Sequence, residues 1–159
     1  MVIKREDYVT PPPGVLITYK GNFSLDILYK RSKTFFDLKR YDFTEKEHTE
    51  KIKSHGNELK VRWIAEREVD DYAKFYIESI FEIWDAIKKN NIYSGDLKIN
   101  VIAKIELDYK KNFYKFPFLL FLYNNFLIKR KIENIYEAKI DSEYKEYCNI
   151  LKDILNISK

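Results

Sequence analysis

The chain has 159 residues, 34% of them charged, with 29 Lys or Arg against 25 Asp or Glu and a net charge of +4. That length favours one domain able to bury a core without staples, and a single cysteine, Cys148, excludes an internal disulfide framework and any cysteine-built zinc site. Lysine and glutamate interspersed with abundant isoleucine and tyrosine suit a thermophile-like solvated surface, and permit contact with nucleic acid or an anionic membrane without requiring it.

In chain order, MVIKREDYVT lacks an apolar h-region, so no signal peptide is expected. A lone cysteine fits a reducing, cytoplasmic setting. Residues 1–13, closing on Pro11, Pro12 and Pro13, read as an extended arm that cannot join a sheet interior. Residues 14–159 then read as a single domain. VLITYK, Val15 to Lys20, is a short strand that Gly21 ends. Ser24 is an N-cap for a helix carrying Leu25, Leu28, Tyr29, Ser32, Phe35 and Phe36 at helical spacing and ending near Arg40. YDFTEKEHTEKIK reads as an exposed or edge strand, and Ser54-His55-Gly56-Asn57 as a turn.

ELKVRWIAEREV alternates, with Leu59, Val61, Trp63, Ala65 and Val69 on one face. Residues 72–88 fit two periods. A helix would align Ala73, Tyr76, Ile77, Ile80, Phe81, Trp84 and Ile87, whereas a strand would align Ala73, Phe75, Ile77, Phe81 and Ile83. β-Branched and aromatic content favours the strand, as does alternation in the neighbouring LKINVIAKIELDY. A strand requires an odd-length loop or a bulge near Asp70-Asp71 to keep Phe75 and Ile77 on the face of Trp63 and Ala65.

YKFPFLLFLYNNFLIKRK, residues 114–131, is the most apolar run. Pro117 suits a first helical position. From Phe116 to Ile128 a helix rises only about 20 Å against a hydrocarbon core of about 30 Å, so it does not span, and Asn124-Asn125 interrupt it. Apolar residues nearly all round predict burial on more than one side, against the sheet and under the C-terminal helix. The alternatives are a partner or ligand groove, or an in-plane membrane contact by the 116–131 helix with Lys129, Arg130 and Lys131 meeting an anionic surface. The tail repeats Ile140, Tyr144, Tyr147, Leu151 and Ile154 as an amphipathic seam, expected to pack on the domain and capable of a homodimer.

No Gly-rich phosphate loop, nucleophile elbow or paired-histidine metal motif occurs. His48 and His55 read as solvated, and no catalytic residue, metal or cofactor is expected. The Lys60, Arg62, Trp63 and Arg67 cluster and the Tyr109–Tyr114 run set aromatics beside cations as single-strand binders do, yet alternation puts Trp63 on the apolar face, away from Arg62.

GNELKVRWIAEREVDDY, GDLKINVIAKIELDY and YKFPFLLFLYNNFLIKRKIE resemble segments of a group of small uncharacterised archaeal proteins. The resemblance supports the strand reading of 73–85 and implies no activity. The order strand, helix, antiparallel strands, C-terminal helix is also similar to START-like helix-grip folds, in which a sheet wraps a long helix around an apolar cavity.

The expected fold is α+β: an antiparallel sheet of about four to five strands with helices on one face and a long C-terminal helix. The leading functional expectation is a non-enzymatic binding module, holding an apolar ligand or a protein partner between sheet and helices. Trp63, Phe75, Ile77, Phe81, Val101 and Phe121 would line the cavity. The alternatives are a nucleic-acid-associated protein using scattered lysines, or a peripheral membrane-surface protein.

Overall fold

Alternation decides the architecture. The computed structural model describes residues 3–11, 13–113 and 115–157, and its largest elements are long antiparallel strands. In chain order these are β1 (Glu6–Tyr8), β2 (Val15–Phe23), β3 (Asp42–Lys51), β4 (Asn57–Glu68), β5 (Ala73–Lys89) and β6 (Ile92–Leu107). They form one six-stranded sheet in the order β1-β6-β5-β4-β3, with β2 also paired to β6. Residues 73–89 are therefore strand. Glu68 pairs with Lys74 and Ala65 with Ile77, the odd-loop register that keeps both core faces aligned. Asn90 and Asn91, both at positive φ, make the two-residue turn joining β5 to β6.

Two expectations change at the N-terminal side. Part of the expected arm, Glu6–Tyr8, is strand β1, paired with Glu106 to Lys104; Pro12 lies outside the described residues. The first predicted strand does not stop at Gly21 but runs to Phe23, opposite Tyr93. β1 and β2 thus lie end to end along β6. Between them Thr10 Oγ1 accepts from the Ala103 amide at 2.9 Å. Gly14, at φ +90°, sits where a Cβ would meet the Val101 carbonyl oxygen at 2.3 Å, so only glycine fits.

Helix α1 (Leu25–Leu38) starts at Ser24, whose hydroxyl accepts from the Ile27 amide at 3.2 Å. After β6 come α2 (Pro117–Leu122), a wide π-helical turn (Tyr123–Leu127) and a break at Ile128. A continuous C-terminal helix of 26 residues follows: α3 (Lys129–Lys131), a second π-helical turn (Ile132–Glu137) and α4 (Ala138–Ile154).

Helices α1 and α4 cover one sheet face. Leu28, Phe35 and Phe36 from α1 and Ile140, Tyr147 and Leu151 from α4 join Val61, Trp63, Phe75, Phe81, Ile99 and Val101 in one buried cluster. Each such large side chain gains about 1.5–3 kcal/mol on full burial. The Tyr147 hydroxyl sits 3.2 Å from Ser32 and 2.9 Å from Ser79, fastening both helices to β5. The predicted C-terminal seam is thus used within the chain: Ile140, Tyr144, Tyr147 and Leu151 are buried in the domain's own core. Burial on α4 pushes the Cys148 thiol up to about 11, which keeps it protonated. Glu143 of α4 accepts from the Tyr41 hydroxyl at 2.5 Å and from Arg67 at 3.0 Å, a buried ion pair with its acceptors filled.

Among the described residues no helix covers the opposite sheet face. Its charges pair across strands: Arg62 with Glu78, Lys74 with Glu66 at 3.0 Å, Lys98 with Glu82 at 3.7 Å and Lys104 with Glu6 at 3.6 Å.

Candidate functional site

The segment expected in the core is on the surface. No residue of α2 is buried. Phe118, Phe126 and Leu127 are 70%, 71% and 76% exposed, and Phe116, Leu119 and Phe121 are exposed beside them. The expectation of burial on two sides is overturned because α1 and α4 already cover the inner sheet face. The outer sheet face, left open, presents paired charges rather than an apolar bed for α2.

The polar residues of this segment hold it to the body. At the end of β6, buried Asp108 accepts from the amides of Asn112 at 2.7 Å and Phe113 at 3.0 Å, and its carboxylate lies 3.6 Å from the Arg5 guanidinium. That fixes the loop leading to Pro117, which occupies the favoured first turn. Asn124, only 1% exposed, accepts the Tyr72 hydroxyl. Asn125 behaves like a peptide group: its Oδ1 accepts from the Ile3 amide at 2.8 Å and its Nδ2 donates to the Ile3 carbonyl at 3.1 Å. Tyr123 packs on Tyr72 and Phe113, with ring centroids 5.1 and 5.3 Å apart. A surface helix normally hides its apolar face and wets its polar one. Here the amides are tucked in and the phenyl rings are out. The asparagine pair, read in the sequence as an interruption, is the anchor. Two amides inside a run of apolar residues were the available signal.

The charges carried by this segment have one sign. From Tyr109 to Ile132 there is no Asp or Glu, but there are Lys110, Lys111, Lys115, Lys129, Arg130 and Lys131. Lys115 and Arg130 are exposed with no carboxylate partner among the described residues, and Lys129 lies 3.7 Å from Glu133. Of the three residues predicted to meet an anionic surface, Lys131 turns to the body instead, 3.2 Å from Asp70. Asp70 also accepts the Tyr136 hydroxyl and the amides of Tyr72 at 2.8 Å and Ala73 at 2.9 Å. Burial pushes the Asp70 carboxyl up, but Tyr136, those amides and Lys131 outweigh it and bring it down to about 2.

The predicted cavity residues separate into two groups. Trp63, Phe75, Ile77, Phe81 and Val101 are each at most 1% exposed and belong to the common core. Trp63 and Phe81 pack at 4.3 Å between centroids, and Phe75 meets Tyr136 edge-on at 6.4 Å. Phe121 is 40% exposed on α2 and is not brought to the others. At the rim of α1 an open depression of about 310 Å³ is lined by Leu25, Asp26, Tyr29, Glu45, His48 and Trp63. Glu45 lies opposite Trp63, and a β-bulge between Glu45 and Glu47 sets His48 opposite Val61, on the same face. Glu45 accepts the Trp63 indole N–H at 2.9 Å and lies 3.4 Å from His48 Nδ1.

Among the described residues no group of three or more His, Cys, Asp or Glu is placed to hold a metal ion, and no helix is long and apolar enough to cross a membrane. Compared with known proteins, the chain matches no family model, no curated protein and no solved structure.

Proposed function

We propose that this protein is a non-enzymatic binding module that docks onto an apolar surface through the outward aromatic face of α2 and the π-helical turn after it. The observation that carries the reading is the inversion: Asn124 and Asn125 are bonded inward while Phe116, Phe118, Phe126 and Leu127 face water. A contiguous apolar patch rimmed by polar residues marks an interaction site. The reading moves the binding surface away from the space between sheet and helices, where Trp63, Phe75, Ile77, Phe81 and Val101 satisfy one another as packing partners. It also stands above nucleic-acid binding by scattered lysines, since the cross-strand pairs of the open sheet face leave no continuous positive track. A START-like helix-grip likeness is supported by element order only, and a cytoplasmic setting by the single buried thiol.

The test is whether this face is open and sticky in the folded protein. The triple variant Phe118→Ser/Phe126→Ser/Leu127→Ser is expected to keep the wild-type thermal midpoint and lose most binding of the apolar dye bis-ANS. A variant that unfolds, or one that binds dye as well as wild type, refutes the reading.

A further inference from the structure

Building on the docking face just proposed, we infer that its occupant is the headgroup boundary of an anionic lipid bilayer, on which α2 lies in the plane. Four observations choose this over a protein partner or a second copy of the chain.

The first is the rim. Protein–protein patches are depleted in lysine and ring an apolar centre with a polar rim. This face has bases at both ends, Lys115 before the rings and Lys129 and Arg130 after them, within 24 residues that carry no carboxylate. Phosphates supply the missing sign, and an in-plane helix on an anionic interface needs both apolar area and flanking cations. The second is length. Residues 117–127 rise about 16 Å at the helical 1.5 Å per residue, roughly half of a hydrocarbon core, so the segment can lie in the interface but not cross it. The third is shape. The rings stand on a convex helix whose inner side is fixed to the body by Tyr72 and Ile3, so the docking surface is already in place when the protein meets lipid. The fourth concerns self-association. Two copies meeting face to face would oppose identical basic rims, and like charges across an interface suppress pairing. The apolar seam that could have made a helical dimer, Ile140 to Leu151, is buried within the domain.

In this arrangement Phe116, Phe118, Phe126 and Leu127 enter the acyl boundary while Lys115 and Arg130 reach the phosphates. Lys131 stays on Asp70 and serves the fold, not the lipid.

Flotation of the full chain with phosphatidylcholine vesicles, and with vesicles also containing phosphatidylglycerol, tests the inference. Wild type should prefer the anionic vesicles to the neutral ones by at least about thirtyfold, since each of Lys115 and Arg130 near such a surface contributes about a fivefold gain. Lys115→Gln/Arg130→Gln should lose on the order of thirtyfold, and raised salt should act the same way. Lys131→Gln should change partitioning far less. A Phe126→Trp variant should show blue-shifted emission on vesicle addition. Equal flotation on neutral and anionic vesicles overturns the electrostatic part of the inference. No flotation, with bis-ANS still bound, overturns the membrane while leaving the docking face standing. Loss of both overturns docking itself. A dimer in sedimentation velocity that the triple Ser variant abolishes, or a labelled oligonucleotide bound through Lys115 and Arg130, assigns the face to those occupants instead.

Discussion

Helices α4 and α2 are both rich in aromatic and aliphatic residues, and they treat water in opposite ways. On α4, Tyr144, Tyr147 and Leu151 point into the core while Lys145 and Asp141 pair outside at 2.6 Å. On α2 and its π-helical turn, Phe118, Phe126 and Leu127 point out while Asn124 and Asn125 point in. The difference lies in what each helix is fastened by. Hydrophobic burial holds α4 along its whole length. The α2 segment is held through the turn after it, by hydrogen bonds at Asn124 and Asn125 and by the Tyr123 ring on Tyr72 and Phe113, and these leave the phenyl side available. An apolar composition states what exposure costs a helix; it does not state whether the molecule has a layer left to cover it.

Stability measurements can break this contrast. The largest effect is expected from Trp63→Ala, which removes a fully buried ring from beneath α1 and should cost about 3–5 kcal/mol in chemical denaturation. Arg67→Ala belongs to the same class. It leaves Glu143, 7% exposed, without its cation, and a loss of about 3–5 kcal/mol is expected. A loss under about 1 kcal/mol for either would mean the α4 side is not held as described.

Smaller and more local is Asn124→Ala. Leaving the Tyr72 hydroxyl unpaired costs up to about 1–3 kcal/mol, part of which is offset by removing Asn124 Nδ2, buried without a partner among the described residues, so a net loss nearer about 1 kcal/mol is expected. Amide hydrogen exchange should then rise across residues 117–127 and stay unchanged across α4; a uniform rise would tie the two helices into one cooperative unit.

Acid probes a neighbouring attachment, that of Lys131 and Tyr136 of the C-terminal helix to Asp70. Its carboxyl is lower in the folded protein than its ordinary 3.8, near 2, so the unfolded chain binds the proton more readily. Its contribution is fully present above 3.8 and lost as pH falls through about 2. The wild-type thermal midpoint should drop over that window more steeply than that of Asp70→Asn. Parallel curves would remove Asp70 from the attachment. Smallest of all is Phe121→Ala, whose half-exposed ring should matter by no more than about 1 kcal/mol in denaturation.

Much of the sheet was legible because alternation has a strict period. Trp63, Phe75, Ile77, Phe81 and Val101 fell on one face by parity alone, and parity also required the odd loop around Asp70. The Ser24 cap was legible for a similar reason, since its chemistry is local. Strand β1 was not. Three residues carry no period, and its existence depends on Glu106 to Lys104, about a hundred positions away. The open face of α2 was misread because periodicity cannot register a helix whose inward side is amide and whose outward side is phenyl. That information resides in Tyr72 and the Ile3 backbone, both remote in sequence.

The Asn125 pairing with Ile3 has a mechanical consequence. Two parallel bonds, of 2.8 and 3.1 Å, couple the start of the described chain to the middle of the aromatic segment as a rung couples two rails. Tension on Ile3 is therefore delivered directly to the π-helical turn, while residues 6–8 pass it to β6. A reporter dye placed near Ile3 will sense the aromatic segment loosening, and a rigid fusion at that point will steer how the rings meet whatever lies opposite.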